Sequence, residues 1–377
     1  KALQRTIKRI PQFGYRLRPG LFWFYLEDQD IMPQVEDDAR NPMLPFNLAG
    51  STRFMFRLRC HKKRVAMEVF HVLTDGYGAT TFLLTLSAEY LYLKTGKRIP
   101  AEGMILDTRE APRREERVDS FPRVARELTQ SRGEQSAWQL KGTPIEAGFL
   151  RVVTGIMPTE KLLFLAREKK TTVNTLLAAI IMQALMIQKE GTKRQKRRPV
   201  KLSLPVNLRK YYGSATLRNF SFYVNVPVQT GHGLDGLDDL ITYISHYMGL
   251  ETMEPQLNAR FSANVKAEQN KLLRAAPLFL KVLVLRMMYR MTGERYITST
   301  LTNLGNIKLP AEMAKQVQRM DVVLGSAQKT PIGAAVISCN GHTCLSFSKT
   351  IRETGVERHV FTTLIKLGVP VKIESNE

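Results

Sequence analysis

Residues 51–60 read STRFMFRLRC, with Phe54, Phe56, Leu58 and Cys60 set against Arg53, Arg57 and Arg59. A period of two with one apolar side predicts a β-strand with one buried face. HKKR makes a turn, and VAMEVFH returns with few charges, as a second strand that the pattern places more centrally. Gly76 and Gly78 then punctuate the chain. ATTFLLTLSAEYLYLKTGK follows as a helix with a wide apolar stripe, ending at Gly96.

Residues 100–142 lose this periodicity and gain charge. They predict a surface crossover holding a short helix, and the boundary between two units, 1–142 and 143–377, is placed there. A strand over 148–156 and a helix starting near Thr159 come next. A longer helix from Val173 carries almost no charge up to Gln188, which predicts nearly complete burial. The basic run KRQKRRP (193–199) reads as a solvated connector, with a phosphate contact or a nuclear signal as the alternative. VKLSLPVN and NFSFYVNVPV are strands, and GLDGLDDLITYISHYMGLE is a helix. Residues 267–291 predict one basic amphipathic helix with a kink at Pro277, either packed over a sheet edge with its cations outward or lying on an anionic membrane. YITSTLTNLGNIKLP is a strand and turn; MDVVLGSA, PIGAAVISCNG and HTCLSFSKT are strands of a meander; GVERHVFTTLIKLGV is the closing helix. There is no regular βαβ repeat, no phosphate-binding P-loop and no GxGxxG after a strand, which argues against a nucleotide fold.

Composition narrows the class. The 377 residues are 44% apolar and 24% charged, which fits a soluble globular chain with one large or two medium domains. A net charge of +22 attracts anions, whether nucleic acid, acidic lipid or a phosphorylated cofactor. Zinc-finger spacings and RNP-type aromatic motifs are absent from the sequence, so no nucleic-acid partner is expected. Cys60, Cys339 and Cys344 have no CxxC spacing, which argues against a disulfide framework or a structural zinc site. No metal and no tightly bound cofactor is expected, and the expected location is the cytoplasm. The apolar segment 277–288 is too short to span a bilayer and carries Lys281 and Arg286. The start, KALQRTIKRI, lacks an initiating Met and reads as mid-helix, so residues are expected to precede it.

The chemistry concentrates at EVFHVLTDGYGATTF (68–82). An apolar run stops on His71, whose imidazole has an ordinary pKa of about 6.5 and takes up a proton near neutrality. A general base must hold one tautomer and one orientation, and Asp75 is placed to bond the ring or to brace the loop through an arginine. Gly76 and Gly78 permit tight turns. On spacing alone, a core histidine and a catalytic one both remain open.

FHVLTDGYGATTFL (70–83) resembles the HxxxDG signature of the coenzyme-A-dependent acyltransferase superfamily, which includes chloramphenicol acetyltransferase, condensation domains, plant acyltransferases and the alcohol acetyltransferase group. AREKKTTVNTLLAAIIMQAL, LPVNLRKYY and STLTNLGNIKLP are similar to further segments of that superfamily, in the same order along nearly the whole chain. Phe70 stands where condensation domains have a first histidine, and the plant DFGWG motif is missing, which leaves the alcohol acetyltransferase-like group as the closest. The resemblance implies an α/β fold with mixed sheets: two chloramphenicol-acetyltransferase-like lobes, 1–142 with HxxxDG and 143–377, with a channel between them. It implies an O-acyltransferase that uses acyl-coenzyme A as cosubstrate, or a carrier-protein thioester, and acts on a small-molecule or lipid-like alcohol or amine. His71 would be the general base. Asp75 completes the catalytic pair as a brace, supported by Gly76 and paired with Arg209, or with Arg18 as second choice. Ser299, Thr302 and Asn303 are the oxyanion or substrate candidates, with a turn-shaping role for Asn303 as the alternative. The competing readings are a non-catalytic binder of the same fold and a lipid-modifying acyltransferase in peripheral membrane contact.

Overall fold

The computed structural model describes residues 1–46, 54–127, 133–190, 197–231, 233–325 and 329–377. Its twelve described strands are β1 (Arg16–Pro19), β2 (Phe24–Glu27), β3 (Val35–Asp37), β4 (Phe56–His61), β5 (Arg64–Val69), β6 (Arg151–Pro158), β7 (Val200–Asn207), β8 (Ser221–Val228), β9 (Ser299–Ile307), β10 (Ile332–Cys339), β11 (His342–Lys349) and β12 (Lys372–Ser375). They form a β1–β2 hairpin, a three-stranded sheet in the order β3-β4-β5, and a seven-stranded sheet in the order β12-β6-β11-β10-β9-β7-β8. The large sheet is mixed: β9 runs parallel to β7 and β10, whereas the other pairings are antiparallel.

The expected β4–β5 hairpin forms and turns at Lys62, which takes a left-handed φ of 51°. Ser51–Arg53, at the start of its first strand, lie outside the described residues, as do 193–196 of the basic run. The central place in this sheet belongs to β4, however, because β3 pairs with it in parallel and leaves β5 at the edge. Few charges in β5 reflect its cover on one face, not its place in the order. The meander also differs. Residues 320–325 form no strand, because β9 and β11 already occupy both edges of β10. The β10–β11 turn is Asn340-Gly341, both with positive φ, the residue pair that matches a tight hairpin to strand twist.

The large core surrounds helix Val173–Glu190, buried at 175–182 and 184–186, as its lack of charge predicts. Helices Leu237–Glu251 and Gly355–Lys366 pack beside it. A second cluster gathers Phe13, Phe56 and Phe82, with Leu217 reaching in from the C-terminal part. A third joins Leu84 and Leu91 of helix Gly76–Thr95 to Ile156, Ile307 and Ile337 of the large sheet. Burial at about 1.5–3 kcal/mol per large aliphatic side chain makes this shared cluster a firm seam.

The single helix expected over 267–291 is instead the end of helix Glu254–Gln269 followed by helices Lys271–Ala275 and Leu278–Thr292. Pro277 breaks the chain rather than kinking it, since the preceding Ala276 is extended (ψ 137°), as a residue before proline prefers. The cations do not all face outward either: Lys281 is buried, and leucines, methionines and Phe279 meet solvent alongside Lys271, Arg274 and Arg286.

Candidate active site

The HxxxDG stretch begins where β5 ends. His71 lies in a turn two residues beyond Val69 and is exposed. Asp75 caps helix Gly76–Thr95, its Oδ1 accepting from the Gly78 amide at 3.2 Å. An aspartate at this position satisfies one of the free amides of the first turn and lies at the positive end of the helix dipole. Inside the helix, the hydroxyls of Thr80, Thr81 and Thr85 donate to the carbonyls four residues back, so burial leaves them satisfied.

Asp75 is tied across the seam. Its Oδ2 accepts from Arg209 Nη1 at 2.6 Å and from the Phe220 amide at 2.9 Å. Arg209 also donates from Nε to the Thr216 carbonyl (2.7 Å) and from Nη2 to the Arg218 carbonyl (2.6 Å). The Arg209 guanidinium lies 4.7 Å over the Tyr77 ring. Thr74 adds a bond to the Leu217 carbonyl at 2.6 Å. The carboxylate and guanidinium are both buried, and three hydrogen bonds to the carboxylate help offset its desolvation. A carboxylate held in this way fixes geometry. Gly78 is required by space, because a Cβ there would collide with Thr74 Oγ1 and the Leu217 carbonyl, whereas one on Gly76 would meet only the end of the Leu304 side chain, 2.5 Å from Cδ2.

Of the two arginines considered for Asp75, Arg209 is therefore the partner. Arg18 is not: it donates to Glu27 at 2.9 Å, a carboxylate it shares with Arg16 in the β1–β2 hairpin. The oxyanion candidates do not converge on one point. Ser299 is buried and its hydroxyl donates to the Ile332 carbonyl at 2.9 Å. Asn303 lies four residues further along β9, about 13 Å at strand rise. Its side chain accepts from the Gly305 amide at 2.8 Å, where Gly305 has φ +79°, so it shapes this bend. Thr302 sits beside it, paired with Ala335 of β10. Leu304, between Asn303 and Gly305, packs on Gly76, which brings this end of β9 to the HxxxDG turn.

Sequence reasoning missed Asn219. Its Nδ2 lies 3.4 Å from His71 Nδ1, and its Oδ1 accepts from Ser221 Oγ at 2.9 Å. The amide can serve the ring in two ways. Donating to Nδ1 leaves Nε2 protonated; turned over, its oxygen accepts from Nδ1–H, Ser221 becomes the acceptor, and Nε2 is basic. The only sequence signal was a polar residue just ahead of β8.

A cavity of about 330 Å³ opens beside this seam, lined in part by Gln12, Tyr15, Arg114, Arg117 and Arg218. No carboxylate lines it, and Arg117 Nη2 donates to Tyr15 Oη at 2.6 Å. Both amide atoms of Gln12 are buried without a partner. Arg218 directly precedes Asn219. Neither this cavity nor a second one around Tyr92 and Arg98 is lined by His71. Among the described residues no three metal-ligating side chains cluster, and all three cysteines are free thiols.

No protein-family model matches the chain, and no curated protein matches its sequence. Solved structures do match. Trichothecene acetyltransferase TRI101 of F. sporotrichioides, complexed with coenzyme A and T-2, superposes with a TM-score of 0.60 at 10% identity, over 100% of this chain and 90% of that one. This chain has the fold of TRI101. Polyketide synthase associated protein 5 from Mycobacterium tuberculosis is similar at a TM-score of 0.57 and 13% identity, over 96% and 88% of the two chains. The first condensation domain of the CDA synthetase gives 0.55 at 16% identity, over 97% and 86%. Structures of this mixed-sheet fold thus match almost the whole length of the chain.

Proposed function

We propose that this protein moves an acyl group from a coenzyme A thioester to a hydroxyl or amine acceptor, with His71 as the general base. The observation that carries the reading is an exposed imidazole beside a buried Asp75–Arg209 clamp, with an amide, Asn219, at Nδ1. With the Asn219 amide turned so that its oxygen accepts from Nδ1–H, Nε2 takes the proton from the acceptor as its oxygen or nitrogen attacks the thioester carbonyl carbon. The tetrahedral intermediate collapses, the C–S bond breaks, and the imidazolium returns its proton to the leaving thiolate. Base catalysis of this kind contributes about 10²–10⁴-fold. Fixing both reactants beside one ring supplies much of the remainder.

The donor class draws support from two directions. TRI101 is complexed with coenzyme A, and a starter condensation domain of rhizomide synthetase with C8-CoA and Leu-SNAC, at 13% identity and a TM-score of 0.54. On this chain, Arg114, Arg117 and Arg218 line one cavity with no acid, a suitable seat for the phosphates of the coenzyme. A carrier-protein thioester is the variant that the condensation-domain likeness favours. The test is thiol release from acetyl, medium-chain and long-chain coenzyme thioesters against a panel of alcohols and amines. Turnover that His71→Ala abolishes supports the proposal. Thioester binding that survives in both proteins, without thiol release in either, would instead identify a binder, the reading that Phe70 in place of a first histidine keeps in play.

A further inference from the structure

A broad exposed apolar surface among the described residues lies on elements that do not carry His71. The tip of the β1–β2 hairpin exposes Leu21 at 73%, together with Phe22 and Trp23. Helices Lys271–Ala275 and Leu278–Thr292 expose Leu272 at 84%, Phe279 at 71% and Leu283 at 66%. The hairpin tip and the second helix form one unit. The Leu278 amide donates to the Leu21 carbonyl at 2.8 Å, and Lys281 Nζ donates to the Phe22 carbonyl at 2.9 Å. The same ammonium lies 3.7 Å over the Trp23 ring. A soluble surface rarely keeps so much contiguous apolar area in water without a partner to cover it.

We infer that this face docks on an anionic lipid bilayer, with the hairpin tip and helix Leu278–Thr292 lying in the interface. Three features select that occupant. First, residues 270–292 hold five basic residues and no acidic one, and the hairpin tip has none either. Lys271, Arg274 and Arg286 are exposed, with no ion pair to a described carboxylate. A second copy seated on the same face would set these cations against their own duplicates, since a two-fold interface is self-complementary. Second, apolar residues cover most of the circumference of the helix rather than one stripe, as suits burial in acyl chains more than a groove on another protein. Third, fifteen residues span about 22 Å, short of the roughly 30 Å hydrocarbon layer, and no single described helix is long and apolar enough to cross a membrane. Trp23 and Tyr289 are of the type that settles at headgroup level.

The inference is independent of the acyl-transfer proposal, and its test needs no turnover. The full chain is mixed with vesicles of phosphatidylcholine alone, or of phosphatidylcholine with about one-third phosphatidylglycerol, and floated on a density gradient. The protein should float with the anionic vesicles only, and Trp23 fluorescence should shift to the blue; the other tryptophan, Trp138, is buried and serves as an internal constant. Leu283→Glu should lower the bound fraction at least tenfold, because it sets a charge into the acyl layer. Arg274→Gln and Arg286→Gln should each weaken binding about fivefold, and added salt should mimic them. All three positions are exposed, so the variants should melt with the parent. Failure of the parent chain to float with anionic vesicles overturns the inference. So does a dimer by light scattering that Leu283→Glu dissolves while vesicle binding is absent, which would assign the face to a second copy.

Discussion

Among the buried arginine–carboxylate pairs that hold the N-terminal part of this chain, two serve different ends. Arg9 and Glu116 form a two-pronged pair at 2.5 and 2.8 Å, joining helix Ala2–Arg9 to the crossover segment. Asp75 and Arg209 form the other, joining the HxxxDG turn to the segment after β7. Both are almost inaccessible. Arg9 and Glu116 are pinned by further bonds, with Arg9 Nε donating to the Asp107 carbonyl and the Arg113 amide donating to Glu116, and no described imidazole stands beside them. Around Asp75 and Arg209 the buried clamp ends at Asn219 and at an exposed imidazole. A buried ion pair by itself is thus no sign of a site. What marks a site is a titratable group left open to solvent next to groups that have no freedom left.

The comparison can be broken at its centre by His71→Ala. Thiol release should fall by about 10²–10⁴-fold while the melting temperature stays with the parent, because the ring is exposed and packs little. Next come the clamps. Arg9→Ala and Arg209→Ala each strand a buried carboxylate and should each cost about 3–5 kcal/mol in urea unfolding. In the fraction that remains folded, Arg209→Ala should depress kcat, whereas Arg9→Ala, which loosens the helix carrying Arg114 and Arg117, should act on KM for the thioester instead. Equal kcat losses from both variants would erase the distinction between them.

A pH series sharpens the contrast. Burial pushes the Glu116 carboxyl up, but hydrogen bonds from Arg9 and from the Arg113 amide outweigh it, leaving the group below the ordinary carboxylate range. A depressed folded value stabilises the protein above the unfolded pKa of about 4.3, and that contribution is lost as pH falls below it. Glu116→Gln should therefore flatten the fall in urea midpoint between about pH 5 and pH 3. The smallest effect is expected at Asn219. Asn219→Ala should lower kcat about tenfold by freeing the ring to change tautomer. Asn219→Asp, by setting a carboxylate beside the imidazole, should move the acidic limb of the rate profile to higher pH. An unmoved limb would remove Asn219 from the site.

Much of this could be read before any coordinates. The β4–β5 hairpin, helix Gly76–Thr95 ending at left-handed Gly96, and the buried helix Val173–Glu190 all follow from periodicity and punctuation, because their causes lie within a few residues of the effect. The Asp75–Arg209 pair was legible from the resemblance of HxxxDG and PVNLR to a known superfamily, and the side chains meet as expected. Other readings failed for one physical reason. That β5 is an edge strand, that 320–325 form no strand, and that Arg18 pairs with Glu27 all depend on which neighbour arrives first at a given edge or charge. Local pattern does not contain that information.

The sequence by itself determined the elements and the side chains on offer: alternation made strands, an uncharged apolar run made the core helix, and His71, Asp75 and two glycines made a turn that opens on an imidazole. Tertiary structure alone decided the partners. It turned the leucines of helix Leu278–Thr292 outward and buried Lys281 against Trp23, and it brought Asn219, 148 residues away in sequence, to the imidazole. Propensity acts over a few residues, whereas burial and pairing are settled by segments distant in the chain competing for the same space.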